Sequence, residues 1–599
     1  MQTNSETVQF GTDRDITSKE LLPKKGITTI RWLPSFTFLL AMVCAILLLD
    51  AVLPLEGFWF HTALFTDGGA WSLLPTHLLF PGWSVTSSLN SDHPMPPPVT
   101  LSWLEVPLLL AAFFFVFLVY LLALRRLPRH RITLRYILYS TLLLGFLCTL
   151  IPVVTSPDIF SYISYARIGV IYHLNPLTTL PTAISTDPVY IHLYWTNQPS
   201  VYGPSWVAIT SLLQWMTLLF GKQSLVSMVI ALRIFGLISH LCSTLLIWSI
   251  AGHMQRLQGR VSQQKRILAT LAFAWNPLLL FEACVNAHND AALLLFILLA
   301  TWCLLPGKRR IYGYMSAMLL FALATCLKLN AVLLLPFFLM FIWKQEIPET
   351  NPLMGSPLAR TLVAALTYAG TVILLYAPFW QHGDILHVLQ VNPTTSRAIN
   401  TLPEFFSQLF NSIAGALGYP PAPQNGSAAE NVAHTLSTGM FVILYGALCW
   451  QAMVRAHALR TLPSLARWLA LAWLLYCCIG TPWFWPWYTV TLFGLYALVE
   501  ATGEDGSILS GFIRLPFAAY LLAFSMLGLY CFYAWGPHIS FIPGLPGFQW
   551  AYLRGLWAWA IPLLAIRWPL HPMSRQRHQR SKGEFIERGK KEPLTGPNH

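Results

Sequence analysis

The sequence predicts an all-α polytopic membrane protein of about 14 transmembrane helices, and three observations support this fold class. Hydrophobic residues make up 55% of the 599 residues and charged residues 10%, and the mean hydropathy is +0.55. A soluble protein carries roughly 25% charged residues. The apolar residues form runs of about 15 to 25, the length that a helix needs to cross about 30 Å of hydrocarbon. The 24 Trp are typical of aromatic belts at membrane interfaces.

Basic residues flank the apolar runs and predict their orientation. The formal charge of +13 is concentrated in clusters at the ends of these runs, as the positive-inside rule expects for cytoplasmic links. The clusters are residues 19–31, 125–135, 256–266, 308–310, 455–467 and 575–591. Because the positive charge follows the membrane boundaries, the sequence does not indicate nucleic-acid binding. Both termini are predicted to be cytoplasmic, in a multi-pass protein of the cytoplasmic membrane.

Placing each basic cluster in the cytoplasm defines the spans in order. They lie near 34–53, 105–124, 136–155, 224–250, 267–286, 291–306, 311–326, 331–344, 361–380, 433–452, 464–481, 487–501, 512–534 and 551–568. The apolar stretch 204–220 breaks the alternation, because a span there would place the basic segment 252–266 outside. We therefore expect 204–220 to lie at the outer surface or to re-enter the membrane.

Three long segments are predicted to face outward, at 54–104, 156–223 and 381–432, whereas the cytoplasmic links are short. Loops longer than about 12 to 15 residues are usually functional or disordered. Segment 156–223 is rich in Tyr, Trp and Pro, so we expect it to be ordered.

A few ionisable residues lie at or near the predicted outer ends of the spans. A charge at the bilayer centre costs roughly 2.5 to 3.5 kcal/mol, so such residues need a partner or a function. The set consists of Asp158, Arg233, Glu282, His288, Asp290 and Lys328. A cation there could hold a lipid phosphate, a carboxylate could take a proton from an attacking hydroxyl, and neighbouring aromatic residues could stack on sugar rings.

Each member of this set also has a structural interpretation. Asp158 could cap a helix, and Arg233 could pair with Glu282 to neutralise two buried charges. Lys328 could snorkel to the interface. His288 could be a hydrogen-bonded interfacial histidine or a metal ligand.

Several motifs resemble a known family in their order and spacing. The first outer loop contains Ser156-Pro157-Asp158-Ile159-Phe160-Ser161-Tyr162, Tyr165-Ala166-Arg167, Asn175-Pro176 and Val201-Tyr202-Gly203-Pro204. Further along are Trp275-Asn276-Pro277-Leu278, Ala287-His288-Asn289-Asp290, Leu327-Lys328, Leu335-Pro336 and Pro482-Trp483-Phe484-Trp485-Pro486-Trp487-Tyr488. Together, over about residues 130 to 500, these motifs resemble the polyprenol-phosphomannose-dependent α-1,6-mannosyltransferases of the GT-C superfamily.

The resemblance implies a GT-C-like helical bundle with ordered interfacial helices in its outer loops, and a site on the extracytoplasmic face. Asp158 would be the general base of an inverting transfer, taking a proton from the acceptor hydroxyl that attacks the anomeric carbon. The donor would be a polyprenyl-phosphate-linked sugar, mannose in this family. The acceptor would be a lipid-anchored glycan of the cell envelope or another hydroxyl compound.

The resemblance also assigns roles to further residues. Lys328, His288 and Arg233 would bind the donor phosphate, with a divalent cation considered as a cofactor and its ligands unknown. The residues implied in substrate binding are Tyr162, Tyr165, Arg167, Asn175, Tyr202, Asn289, Asp290, Trp485, Trp487 and Tyr488.

The same resemblance suggests a division of the chain into segments. These are a polar cytoplasmic tail (1–33), a two-helix N-terminal extension (34–135), a catalytic membrane core (136–501), C-terminal transmembrane helices (502–573) and a basic cytoplasmic tail (574–599).

Two other classes of protein share parts of this pattern. A transporter or flippase of lipid-linked glycans would have a similar number of helices, but it should show internal repeats and polar groups along a path through the bilayer. The sequence shows no repeat, and its ionisable groups lie at one face. A purely structural membrane subunit would leave Asp158 and Lys328 at that face without a function.

Overall fold

The regular structure of the described residues is helical. A computed structural model describes residues 33–52, 105–130, 132–151, 156–221, 225–305, 310–346, 356–386, 398–420, 427–502, 522–529, 548 and 552–559. Within these ranges, extended backbone pairs in an isolated parallel bridge between Ile399 and Trp483.

Sixteen numbered helices and two shorter helical segments follow one another along the described chain. They are α1 (Leu33–Val52), α2 (Glu105–Arg126), α3 (Leu134–Thr149), α4 (Asp158–Val170), α5 (Pro204–Thr217), α6 (Leu225–Leu257), α7 (Gln263–Ala274), α8 (Pro277–Leu280), α9 (Asp290–Cys303), α10 (Arg310–Leu327), α11 (Leu335–Trp343), α12 (Pro357–Tyr376), α13 (Leu402–Ala416), α14 (Ala428–Val454), α15 (Leu462–Leu475) and α16 (Thr489–Thr502). The two shorter segments are 522–529 and 553–559.

Helical structure lies within every predicted span, although few helices are long enough to cross a membrane alone. Among the described residues, 5 helices have the length and composition of a span, or up to 6 if a bent pair counts as one. In two of them, Pro357–Phe379 and Ala428–Val454, only 6% and 0% of the residues in the apolar 18-residue stretch are buried, so the apolar side chains there are suited to face lipid. The structure therefore supports a multi-pass membrane protein, while the count of about 14 spans rests on hydropathy alone.

The bent pair of helices has a cause in the sequence. Asn276 caps α8, its side chain accepting a hydrogen bond of 3.1 Å from the backbone N–H of Leu278. Pro277 follows at the first helical position, where its missing N–H costs nothing. The chain bends by 44° between Gln263–Ala274 and Pro277–Val285. This bend and the π-helical turn Phe281–Val285 lead directly into the segment that contains His288, Asn289 and Asp290.

The segment 156–221, predicted as the first outer loop, is ordered as expected. It contains α4, α5 and the short 3₁₀ turns Pro181–Ile184, Tyr190–His192 and Leu218–Phe220. Helix α5 has 14 residues, about 21 Å, which is shorter than a membrane crossing. It packs against α4, α6 and α10. The expected short helix within 204–220 is therefore present, and its position relative to the membrane stays a prediction.

A buried clamp holds the connection between α4 and α5. Arg167 on α4 donates to both oxygens of Asp187, with Nη2 and Oδ2 2.7 Å apart. Tyr172 and the backbone N–H of Val189 also donate to Asp187, each at 2.9 Å. The side chains of Arg167 and Asp187 are 2% and 1% exposed. We name this group of Arg167, Tyr172 and Asp187 the loop clamp.

Arg233 links α6 to the ends of two other helical segments. From the first third of α6, its guanidinium donates to the carbonyls of Val285 (2.8 Å), Thr149 (3.2 Å) and Ile151. These hydrogen bonds do not involve Glu282, the partner that the structural interpretation of Arg233 offered. Glu282 instead accepts from Asn286 at 3.0 Å and contacts His288. Arg233 thus stabilises the framework beneath the site.

Candidate active site

Most of the sequence-predicted site residues surround one cavity of about 360 Å³. This is within the range of small-molecule binding pockets, roughly 300–1,000 Å³. Its lining is Ser156, Pro157, Asp158, Ser161, Tyr165, Tyr194, Trp195, Gln198, Val201, Tyr202, Asn289, Lys328, Leu329, Asn330, Ile399, Tyr476, Trp483, Trp485, Trp487, Tyr488 and Arg554. The cavity therefore joins the ends of α9 and α10 to α4, to the aromatic motif before α16 and to the segment 552–559.

Asp158 is the carboxylate at this cavity that has an open side. It is the first residue of α4, where the positive end of the helix dipole favours a negative charge. Its Oδ2 accepts a hydrogen bond of 3.2 Å from the Tyr202 hydroxyl, and 16% of its side chain is exposed. Burial raises the pKa of Asp158 above the usual aspartate value, while His288, Lys328 and the Tyr202 hydrogen bond oppose this shift. The carboxylate is thus placed and tuned as a proton acceptor.

His288 lies behind Asp158 and outside the cavity lining. Its Nδ1 is 2.8 Å from Glu282 Oε2, and because a carboxylate accepts, this nitrogen donates. Its Nε2 is 3.2 Å from Ser156 Oγ and 3.9 Å from Asp158 Oδ2. The ring stacks on Trp487, with the centroids 3.9 Å apart. This geometry supports the interpretation as a hydrogen-bonded histidine and positions His288 beside the carboxylate.

Lys328 supplies a cation to the cavity wall, and it is paired. Its ammonium donates to both oxygens of Asp290, at 2.9 and 2.8 Å. It also lies 4.1 Å from the centre of the Tyr488 ring, a cation–π contact. Asp290 is fully buried, whereas 14% of the Lys328 side chain is exposed. We name Lys328 and Asp290 the cavity pair. The Asp290 carboxylate holds the Lys328 ammonium in place beside the Tyr488 ring, and the exposed part of Lys328 faces the cavity.

Indole rings form an aromatic wall. Trp485 and Trp487 stack with their centroids 5.0 Å apart and an interplanar angle of 4°. Trp483 lies 6.1 Å from Trp485 and 5.9 Å from Trp195, which comes from the segment between α4 and α5. Rings of this kind offer flat apolar faces with polar edges, which suits the apolar faces and hydroxyl edges of sugars.

The tyrosines of α4 support Tyr202 and the loop that follows. Tyr162 is buried, and its ring makes an edge contact of 4.9 Å with the ring of Tyr202. Tyr165 lines the cavity, and its hydroxyl donates to the carbonyl of Gln198 at 3.1 Å. Of these two predicted substrate-binding residues, Tyr165 thus reaches the cavity and Tyr162 underlies it.

Gly203 explains the Tyr-Gly-Pro motif that precedes α5. Its backbone N–H donates to Leu327 at 3.3 Å, so the loop contacts the end of α10. A Cβ at this position would overlap the carbonyl of Cys326. A glycine is therefore required for the close approach that brings Tyr202 beside Asp158 and joins it to the helix end that leads to Lys328.

Three predicted site residues lie away from the cavity. Arg233 is 1% exposed and bonded to backbone carbonyls, so the structure does not place it among the cavity-lining cations. Arg167 belongs to the loop clamp. Asn175 accepts from the backbone N–H of Leu177 at 3.0 Å and donates to the carbonyl of Phe379 at 3.1 Å, which fixes the turn after α4.

Other cavity residues had no individual role predicted from the sequence, although Ser161 and Trp483 belong to the quoted motifs. They are Ser161, Trp195, Asn330, Tyr476, Trp483 and Arg554 as potential ligand contacts. Arg554 pairs with Glu404 of α13 at 3.1 Å, and the two side chains are 12% and 6% exposed. A signal existed for Arg554, which is a cation one turn inside the predicted outer end of the span 551–568. Tyr476 gave none, because it lies in a π-helical turn within an ordinary apolar run.

A divalent cation was considered as a cofactor, and the described donor set does not fit one. In the described ranges, no three His, Cys, Asp or Glu side chains are grouped so that they could hold a metal ion. Asp290 is occupied by Lys328, and His288 by Glu282 and Ser156.

The comparison with protein families gave one match in this region of the chain. Residues 76–344 match the family described as Alpha-(1->6)-mannopyranosyltransferase, N-terminal domain. The matched range includes Asp158, His288, Asn289, Asp290 and Lys328. A comparison with curated proteins gave no match.

Similar solved structures are oligosaccharyltransferases from Archaeoglobus fulgidus. One is the archaeal enzyme AglB in complex with an inhibitory peptide and a dolichol-phosphate, with a TM-score of 0.32 and 14% identity over 78% of this chain and 62% of that chain. Another is the apo form, with a TM-score of 0.31 and 13% identity over 78% and 62%. The present chain thus spans 62% of the length of these proteins. Similarity at this level does not establish a common fold.

Proposed function

We propose that this chain is a membrane glycosyltransferase of the alpha-(1->6)-mannopyranosyltransferase family, because the model of that family matches residues 76–344. The enzyme transfers mannose from a polyprenyl-phosphate-linked donor to a hydroxyl of an acceptor, with inversion at the anomeric carbon. Asp158 is the general base. The acceptor is a lipid-anchored glycan or another hydroxyl compound.

One observation supports this function above the others. A half-buried carboxylate, an ammonium and a wall of indole rings surround a single cavity of about 360 Å³. The carboxylate meets the need for a base near the acceptor, the ammonium meets the need for a cation near a phosphate, and the rings suit a sugar. A transporter would need polar groups along a path through the bilayer rather than at one end of the bundle.

The proposed transfer conserves charge and atoms in a single displacement. The acceptor hydroxyl gives its proton to the Asp158 carboxylate while its oxygen attacks the anomeric carbon of a β-linked donor. The bond between that carbon and the phosphate oxygen breaks, and polyprenyl phosphate leaves with the electron pair. The new bond forms on the opposite face, which yields an α-linked product.

The surrounding residues assist these steps. Tyr202 hydrogen-bonds to Asp158 and thereby favours its ionised form, and His288 lies on the side of Asp158 away from the cavity. Lys328, held by Asp290, donates to the departing phosphate. Trp485 and Trp487 bind a sugar face, with Tyr165, Asn289 and Tyr488 at the edges of the site.

The side of the membrane follows from the basic flanks of the spans. All residues of the site lie at the ends of helices that the positive-inside rule places outside. We therefore propose an extracytoplasmic site in a cytoplasmic membrane, with both termini in the cytoplasm.

The function can be tested with purified protein in detergent that receives a polyprenyl-phosphate mannose and a mannoside acceptor. We expect an α-linked mannoside product without any other component. A β-linked product would contradict inversion, and the absence of product with this donor and with other polyprenyl-phosphate hexoses would contradict the proposed activity.

A further inference from the structure

Asn289 has an unusual place among the buried polar side chains of this protein. It is 1% exposed and lines the cavity. Within the described chain, neither its amide oxygen nor its amide nitrogen has a hydrogen-bond partner. Burial of an unpaired amide is costly, so buried amides are nearly always paired. Because this amide is buried as well as unpaired, a rotation of the Asn289 side chain toward the cavity would let it pair with a group that enters there.

A second unpaired group lies near it. Ser161 follows Asp158 by three residues on α4 and so shares its face of the helix. It is 3% exposed and lines the cavity, and its hydroxyl has no partner among the described residues. Asn330 adds a third group: its amide nitrogen donates to the Tyr476 hydroxyl at 3.2 Å, while its buried oxygen lacks a partner in the described part of the chain.

An unpaired serine alone would not define a site. Ser164 lies one turn further along α4, is also buried, and likewise has a hydroxyl without a partner in the described ranges, yet it does not line the cavity. The distinction lies in the coincidence of three such groups on one cavity. Asn289 is decisive, because an amide offers both donors and acceptors and both kinds are unpaired here.

The chemistry of these groups selects the ligand. An amide that donates through nitrogen and accepts through oxygen matches two adjacent hydroxyls, each of which can do both. Ser161 and the oxygen of Asn330 add one more hydroxyl partner each. A phosphate offers only hydrogen-bond acceptors, so the amide oxygens of Asn289 and Asn330 would still lack a donor. A polyhydroxylated ring is therefore the class of ligand that satisfies the set.

We propose that Asn289, Ser161 and Asn330 form a hydroxyl-recognising subsite that binds the ring hydroxyls of the transferred sugar. This rests on the proposed function. The position in the chain favours the donor sugar, because Ser161 is one turn from the base Asp158 and Asn289 directly precedes Asp290, which holds the cation Lys328. The transferred ring must lie between the base and the phosphate.

The subsite can be tested by binding, independently of turnover. Tryptophan fluorescence gives the Kd of polyprenyl-phosphate mannose and of its 2-, 3-, 4- and 6-deoxy forms for the wild-type protein, Asn289→Leu and Ser161→Ala. In the wild type, at least one missing hydroxyl should raise the Kd about 10- to 100-fold. The same deoxygenation should change the Kd of the matching variant by less than about 3-fold, because its partner is already gone.

Controls separate the subsite from a structural role. Ser164→Ala, the matched buried serine, should keep the wild-type response to every deoxy donor. Without ligand, Asn289→Leu should unfold at the same temperature as the wild type or higher, because no protein hydrogen bond is lost. Asn276→Leu removes a buried amide that caps α8 and should unfold earlier. Early unfolding of both Asn289→Leu and Ser161→Ala would contradict the proposal.

Two further results would overturn the inference without touching the proposed activity. In one, equal losses with deoxy donors in the wild type and both variants would show that other groups recognise the hydroxyls. In the other, the variants would lose the wild-type response only to deoxy forms of free methyl mannoside, which stands for the acceptor, and the subsite would then belong to the acceptor. Failure of the wild type to transfer intact mannose would instead count against the proposed function, and the binding results would still decide the subsite.

Discussion

Two buried ion pairs of this protein are chemically alike and differ in what lies beside them. In the loop clamp, Arg167 and Asp187 are 2% and 1% exposed, and Tyr172 and the backbone of Val189 complete the acceptor shell. In the cavity pair, Asp290 is fully buried but 14% of Lys328 is exposed toward the cavity. The first pair is shielded on all sides and stabilises the loop between α4 and α5. The second pair exposes a cation to the cavity. The resemblance assigned both Arg167 and Lys328 to ligand binding, and the structure separates them.

The largest expected effect is the loss of folding stability when the loop clamp is broken. In Arg167→Met, Asp187 stays buried without its cation, which should cost about 3–5 kcal/mol. The measurement is thermal unfolding in detergent. The double variant Arg167→Met/Asp187→Asn should recover part of this loss, since no unpaired charge remains. An unfolding temperature of Arg167→Met equal to that of the wild type would contradict the structural role.

A smaller effect, on catalysis rather than on folding, is expected at the cavity pair. The double variant Lys328→Met/Asp290→Asn removes both charges and leaves none unpaired, so the protein should fold. Transfer should fall about 100-fold or more, because a donor to the departing phosphate is gone. The matched variant Arg167→Met/Asp187→Asn should keep transfer within a few-fold per folded molecule. Equal transfer activity of the two double variants would contradict the claim that only the cavity pair takes part in transfer.

The smallest expected effect is a shift of the pH profile by Tyr202→Phe. Burial raises the pKa of Asp158, so activity that needs its ionised form should be lost on acidification above the usual aspartate value of about 3.9. The Tyr202 hydrogen bond lowers this pKa, and its removal should move the loss of activity to higher pH. Rates measured from acid to neutral pH test this. A profile that stays in place or moves to lower pH would contradict the assigned hydrogen bond.

The positions of the helices could be predicted because long apolar runs and their basic ends follow from the membrane environment. Helical structure lies in every predicted span, and the short α5 lies within 204–220 as expected. The number of true spans could not be fixed. Several helices are short, bent or continued by 3₁₀ and π turns, as at Gln263–Ala274 and Pro277–Val285.

Site residues could be predicted where the sequence shows that a polar residue lies at the end of an apolar run, and therefore at a helix end. Asp158, Asn289 and Lys328 lie at or beside such ends, and they line one cavity. Arg233 shows the limit of this reasoning, because depth along a helix does not reveal which side a residue faces. Its guanidinium binds carbonyls of α3 and of the turn after α8.

Other residues depended on contacts between distant parts of the chain. The partner of Arg167 is Asp187, which no motif contains, and only the folded loop brings them together. Tyr476 reaches the cavity from the π-helical turn after α15, and Arg554 from the segment 552–559. The apolar residues around them in the sequence give no sign of this. Contacts of this kind are set by packing and leave no local pattern in the sequence.

The central claim is that Asp158 is the general base, and transfer by Asp158→Asn tests it most directly. The amide nearly matches the carboxylate in size but cannot accept the proton. With purified protein, polyprenyl-phosphate mannose and a mannoside acceptor, we expect transfer to fall about 10²- to 10⁴-fold, with donor affinity and unfolding temperature close to those of the wild type. Transfer near the wild-type rate would contradict the assignment of Asp158 and the mechanism built on it.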